Sequence, residues 1–197
     1  MPTIVVPFRG ATGKQRLVPL TEGARAALTL AMLADVLAAC TVVGETLVAT
    51  SDEDAARVAS EFEARIVPDP GGGQGAAVAA ALRDLPDRPT LVVNGDVPCV
   101  TPADVRALAA ATPDRGIAYV AARDGTTNAL ALSSPSLFAP LYGSDSADRF
   151  RMHAHTLGVS VVPAAIPNIA DDVDSLEDLE RLELRLGPRT LATHAVR

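Results

Sequence analysis

The chain has 197 residues, 48% of them apolar, which suits one α/β domain with a full core, taken here as residues 1–197. Aromatic residues make up only 3%, Trp is absent and the formal charge is −7. Together these argue against a stacking platform for single strands and against the basic face that a phosphate backbone requires, so no nucleic acid partner is expected. Cys40 and Cys99 match no metal spacing and no secretory leader is read, so the expectation is a cytoplasmic protein with two small buried thiols.

Thr3-Ile4-Val5-Val6-Pro7 is a β-branched run that predicts a first strand. After a polar loop, a helix is expected from about Gly23 to Cys40. Its apolar stretch, Ala24 to Cys40, is interrupted by Arg25 and Asp35 and falls short of the ~20 residues of a membrane span, so it reads as a core helix, with no membrane partner. Glu45 to Thr50 reads as strand, Glu53 to Ala64 as helix, Arg65 to Val67 as strand, Pro68 to Gly73 as a breaker-rich loop and Gln74 to Leu85 as an Ala-rich helix. Thr90 to Asn94 is a continuous buried strand ending at Gly95-Asp96, and Thr101-Pro102 is an N-cap and first-turn pair for a helix over Ala103 to Ala110. Strands follow at Gly116–Ala122 and Asn128–Ser133, then helices near Pro135–Leu141 and Ala147–Leu157, a strand at Val159–Val162, an acidic loop and a closing helix over Ser175–Leu186. Alternating strands and helices predict a Rossmann-like α/β fold, a mostly parallel sheet with helices on both faces and the ligand crevice at the strands' carboxyl ends.

The loops at those ends collect the unusual residues. Arg9, Lys14 and Arg16, set around Gly10 and Gly13, suit a nucleotide triphosphate, because backbone N–H groups approach the phosphates while the cations neutralise them. The spacing matches neither a Walker loop nor a dinucleotide fingerprint. Gly71-Gly72-Gly73-Gln74-Gly75 opens a helix and offers backbone, through Gly73 and Gly75, to a base or ribose without choosing between purines; a plain tight turn fits it too. Asp96, at a strand's end, is placed to ligate Mg²⁺ with substrate phosphates. In Asp172-Val173-Asp174, an extended backbone would send both carboxylates to one side, where they could share that metal with Asp96; Asp171 reads as solvated. Asp124-Gly125-Thr126-Thr127-Asn128 and Tyr142-Gly143-Ser144-Asp145-Ser146 flank a short apolar strand and suit a small anion held by backbone N–H groups and hydroxyls. His153, His155 and His194 form no acid/base set.

With these residues assembled, the chain resembles the guanylyltransferases of deazaflavin-coenzyme (factor 420) biosynthesis, a branch of the nucleotidyltransferases related to molybdenum-cofactor guanylyltransferase. The likeness spans nearly the whole chain. It rests on Pro7, Lys14, Arg16 and Leu17, on Asp96-Val97-Pro98, on Gly125 to Leu130, on Gly143 with Ser146, and on Asp172-Val173-Asp174. The resemblance implies transfer of GMP from GTP to the phosphate of phosphoenolpyruvate or 2-phospho-L-lactate, with 3-phosphoglycerate as an alternative, and release of pyrophosphate. On that reading Thr127, Gly143, Ser146 and Arg149 hold the acceptor phosphate; Asp96, Asp172 and Asp174 hold Mg²⁺; Arg9, Lys14, Arg16, Gly73 and Gly75 bind the nucleotide; and Lys14, Arg16 and Asp96 are catalytic. Arg9 stands where the family has Lys, Gly75 where Asn is common and Phe150 where His is usual. The rival readings are a molybdenum-cofactor or sugar-phosphate nucleotidyltransferase, and a nucleotide-binding regulatory module without turnover. Exposed apolar helix faces could support a homodimer.

Overall fold

The computed structural model describes residues 1–10, 17 and 20–195. Seven strands form one sheet: β1 (Thr3–Pro7), β2 (Glu45–Ala49), β3 (Arg65–Val67), β4 (Thr90–Val93), β5 (Gly116–Ala121), β6 (Thr127–Leu132) and β7 (Ser160–Pro163), in the order β3-β2-β1-β4-β6-β5-β7. The pairs β1–β2, β1–β4, β2–β3 and β5–β7 are parallel, while β6 runs antiparallel to both β4 and β5. The strand order reverses between β1 and β4, and that switch point is where an open α/β sheet leaves a crevice beyond its strands' carboxyl ends. Because β6 is inverted, its first residue, Thr127, lies on the same edge as the end of β4, and Asn94 N–H donates to the Asn128 carbonyl across it.

The period of two along each strand divides the core. Ile4, Val6, Leu91, Val93, Ala129 and Ala131 pack on one face with α1 (Glu22–Thr41), α2 (Glu53–Glu61) and α4 (Pro102–Ala110). Val5, Val92, Leu130 and Leu132 pack on the other with α3 (Gln74–Leu82) and α5 (Ser146–Thr156). A third cluster joins Leu17, Leu28, Met32, Cys99, Val173, Leu179, Leu182 and Leu186. Helix α1 has the length and apolarity of a membrane span, but Leu28, Leu33 and Leu37 are fully buried against the protein, as expected of a core helix. Both cysteines are free and buried.

Three expectations from the sequence need correction. Residues 135–141 form only a single 3-10 turn, Pro135–Leu137, because Pro140 donates no N–H and its ring disfavours helical backbone at Ala139. The closing helix is divided: α7 (Leu176–Leu182) ends in a 3-10 turn at Glu183–Arg185, and α8 (Pro188–Ala195) follows. Gly187 permits that break, since a Cβ there would lie 2.3 Å from the Asp35 carboxyl carbon. Buried Asp35 instead caps α8 from outside, accepting from Thr190 N–H at 2.8 Å and its hydroxyl at 2.7 Å. A short helix, α6 (Pro167–Ala170), precedes the acidic loop. The third correction concerns Asp171, which is buried.

Candidate active site

A cleft of about 410 Å³ opens at the β1/β4 switch point, lined by Pro7, Phe8, Arg9, Gly10, Thr29, Gln74, Asn94, Gly95, Asp96 and Asp174. Its shape follows from close packing at two glycines. Gly95 lets the β4 exit pass Phe8, whose ring would be 3.3 Å from any Cβ there. Gly10, at φ +91°, turns the chain beside Asp52. Arg9 reaches the cleft from this loop, whereas Lys14, Arg16 and Gly13 lie outside the described residues.

Asp96, Asp172 and Asp174 each offer an oxygen, all within 4.8 Å of one another. The backbone explains the convergence. Asp171 is extended at φ −100°, ψ 101°, and alternation along residues 171–174 turns Asp171 and Val173 into the protein and Asp172 and Asp174 toward Asp96. Val173 is fully buried in the third core cluster, and its N–H donates to the Asp96 carbonyl at 3.0 Å, fastening the two segments together. Asn128, buried in β6, donates from its amide to the Ile169 carbonyl at 2.9 Å and to Asp172 Oδ1 at 3.3 Å. Three carboxylate oxygens on a cleft wall are the hard donor set that Mg²⁺ or Ca²⁺ accepts, so the residues present fit a divalent cation.

Behind the triad, Arg181 donates to Asp171 Oδ1 and Arg185 donates to Oδ2, while Arg123 forms an ion pair with Oδ1. Burial pushes the Asp171 carboxyl up, but the bonds from Arg185 and Arg181 and the charge of Arg123 outweigh it and hold it below the usual carboxylate range.

The opposite wall is a chain of amides. Gln74 Nε2 donates to Asn94 Oδ1 at 2.6 Å, and Asn94 Nδ2 donates to the Thr127 carbonyl at 3.1 Å. Gln74 begins α3 after Gly71, Gly72 and Gly73, all at positive φ. Around Gly73 the space is open, but a Cβ on buried Gly75 would come within 2.7 Å of Pro140. Gly75 thus packs closely against the segment before Gly143.

Thr127 and Ser146 are both buried, and Ser146 Oγ donates to Thr127 Oγ1 at 3.0 Å. Gly143 stands at φ +111° and Asp145 at φ +55°. The Arg149 guanidinium folds back to donate to the carbonyls of Tyr142 and Ser144, at 3.1 and 2.7 Å, and so braces the loop. Phe150 is fully buried, edge-on to Tyr142 at 5.4 Å between ring centres. Asn94, Gln74, Asn128 and Asp171 were not assigned from the sequence. Their signal was faint: a polar residue at the end or start of an apolar run, which reads equally as a turn.

A seven-stranded, mostly parallel sheet with a crevice at this switch point is the fold of a nucleotidyltransferase. Residues 16–159 match the MobA-like NTP transferase domain family. The fold is shared with a nucleotidyl transferase from Methanothermobacter, at a TM-score of 0.67 and 21% identity over 98% of this chain and 99% of that one. A phosphoenolpyruvate guanylyltransferase from Conexibacter woesei is 40% identical over 95% of this chain and 88% of its own length. Its counterpart from Streptomyces coelicolor is 38% identical over 98% and 95%, and a 3-phospho-D-glycerate guanylyltransferase from Phenylobacterium zucineum is 33% identical over 95% and 91%. The chain belongs to this guanylyltransferase family within the MobA-like NTP transferases.

Proposed function

We propose that this protein transfers GMP from GTP to the phosphate of phosphoenolpyruvate and releases pyrophosphate. The observation that carries the reading is the approach of Asp96, Asp172 and Asp174 to within 4.8 Å at the edge of the switch-point cleft. GTP lies with its triphosphate along the Phe8–Gly10 loop, near Arg9, and with its base toward Gly73 and Gln74; Lys14 and Arg16 are assigned to the triphosphate from the sequence. The acceptor's phosphate sits at Thr127, Gly143 and Ser146. Ser146 donates to Thr127, which leaves the Thr127 proton for a phosphate oxygen. Arg149 acts by holding the 142–144 carbonyls, so that the loop's N–H groups face the anion.

An acceptor phosphate oxygen forms a bond to the α-phosphorus of GTP as the bond to the α,β-bridging oxygen breaks, and pyrophosphate leaves with that electron pair. No protein base is needed, because the second pKa of a phosphate monoester is about 6 and the nucleophile is already ionised at pH 7. Asp96, Asp172 and Asp174 would hold Mg²⁺, which when bound neutralises phosphate charge. The cations of the first loop stabilise charge on the departing pyrophosphate. The resemblance to the deazaflavin-coenzyme (factor 420) enzymes supports reading the reaction as a step of that synthesis, and we assign it to the cytoplasm on the same reading.

The test is pyrophosphate release measured over four nucleoside triphosphates and three acceptors: phosphoenolpyruvate, 2-phospho-L-lactate and 3-phosphoglycerate. GTP with phosphoenolpyruvate should give the highest kcat/KM. A folded protein that releases no pyrophosphate from GTP with any of the three would overturn the reading, and a clear preference for 3-phosphoglycerate would replace the acceptor alone.

A further inference from the structure

Asp171 has no part in the reaction as written, yet among the described residues it is one of the most heavily bonded side chains. Its side chain is 5% exposed; Oδ1 lies 2.7 Å from Arg123 Nε and 2.8 Å from Arg181, and Oδ2 lies 2.5 Å from Arg185. The three guanidiniums come from separate places. Arg123 is in the loop between β5 and β6 that leads to Thr127, Arg181 is in α7, and Arg185 is in the 3-10 turn that follows.

The closing elements do not depend on Asp171 alone. Arg181 also pairs with Asp178 at 2.8 Å, Arg185 also reaches Asn168 Oδ1 at 3.2 Å, and Leu179, Leu182 and Leu186 are buried in the third core cluster. What the three-arginine clasp does fix is the start of the extended segment 171–174. Alternate residues there face opposite ways, so a backbone held at Asp171 and, two residues on, at Val173 has little freedom to rotate Asp172 or slide Asp174. The charge-assisted bonds from Arg181 and Arg185 restrict direction as well as distance, and are stronger than those a neutral side chain in the same place would accept.

We infer that Asp171 is a positioning residue, which fastens the acidic segment to the β5–β6 loop and the closing turn and so holds Asp172 and Asp174 at the spacing a cation shared with Asp96 requires. This rests on the proposed metal role of the triad. Outer partners of metal ligands typically set metal affinity by about 10–100-fold, and Asp171 acts one step further out, through the backbone.

The probe is Mn²⁺ alone, titrated onto the full chain and followed by the electron paramagnetic resonance signal of free Mn²⁺. Wild type is measured first. Asp171→Asn should weaken Mn²⁺ binding about tenfold. The Mg²⁺ concentration for half-maximal pyrophosphate release should rise in step, while the acceptor KM at saturating Mg²⁺ stays within about twofold of wild type. Arg123 is two-thirds exposed, so Arg123→Gln removes one arm of the clasp with little risk to folding, and it should weaken Mn²⁺ binding about threefold. If Asp171→Asn does not fold, Arg123→Gln decides. Unchanged Mn²⁺ affinity in the folded variants overturns the inference even if their melting temperatures fall. Failure of wild type to bind Mn²⁺ would instead strike the metal reading itself, and the inference with it.

Discussion

Asn128 offers the sharpest test of how the fold builds the acidic site. Replacing it by Leu keeps the side chain's branching and approximate volume but removes both donors, to the Ile169 carbonyl at 2.9 Å and to Asp172 Oδ1 at 3.3 Å. The first is a neutral bond worth about 1 kcal/mol, and losing it leaves a carbonyl beside a buried side chain without that donor, at about 1–3 kcal/mol. The second is charge-assisted, for which about 1.5–3 kcal/mol is usual, but its length puts it at the low end. These contributions overlap, and a net loss of about 2–4 kcal/mol is expected. With a urea m-value of about 2 kcal/mol/M, the midpoint should fall by about 1–2 M. The same variant removes one of the bonds that hold Asp172 beside Asp96, so Mn²⁺ binding should weaken about 10–100-fold. Urea unfolding followed by far-ultraviolet circular dichroism reads the first quantity, and Mn²⁺ titration of the folded variant reads the second. A variant with wild-type midpoint refutes the hydrogen-bond argument. One that is destabilised but binds Mn²⁺ normally refutes the link between Asn128 and the triad.

Asp96→Asn should leave the melting temperature within a few degrees of wild type, because no apolar packing is lost, and should abolish pyrophosphate release at saturating Mg²⁺; turnover by the folded variant would remove Asp96 from the metal set. Ser146→Ala removes the donor to Thr127 Oγ1 and should raise the acceptor KM by about 3–10-fold, matching about 0.5–1.5 kcal/mol, with the GTP KM little changed; initial-rate kinetics with each substrate varied will tell. Cys40 and Cys99 should both resist a thiol reagent at pH 8 until the protein is unfolded, because burial pushes their thiols up to about 12 and about 11. The same shifts make stability depend on pH in one direction: the unfolded chain releases these protons above about pH 8.5 while the folded chain retains them, so this contribution is full below that pH and declines as pH rises toward about 11 for Cys99 and about 12 for Cys40.

Much of the site was legible in the sequence because the relevant periodicities are local. Thr90–Val93 reads as strand from its continuous apolar run, and so places Asp96 just beyond a carboxyl end whatever the rest of the chain does. Period two along an extended segment sends Asp172 and Asp174 to one side. The same parity sends Asp171 the other way, so its burial was implicit in that argument; but a lone charged residue defaults to solvent unless its partners are known, and Arg123, Arg181 and Arg185 are known only once the chain is folded. Residues 135–141 misled for a local reason, an apolar run at helical spacing that Pro140 interrupts.

The sequence by itself determined the element types outside residues 135–141 and the closing helices, the strand-end carboxylates, the glycine-led start of α3 and the capping of α4, where Thr101 and Asp104 bond reciprocally. Each depends on neighbours within a few residues. Tertiary structure alone decided that β6 inserts antiparallel between β4 and β5, which brings Thr127 beside Asn94, and that Val173 docks on Asp96, which gathers the three carboxylates. It also decided that Asp171 lies inside a ring of guanidiniums. Those outcomes rest on contacts between segments far apart in the chain, formed because burying Val173, Leu179 and Leu182 with Leu28 and Met32 removes apolar surface from water, and no local pattern specifies which distant partner will be there.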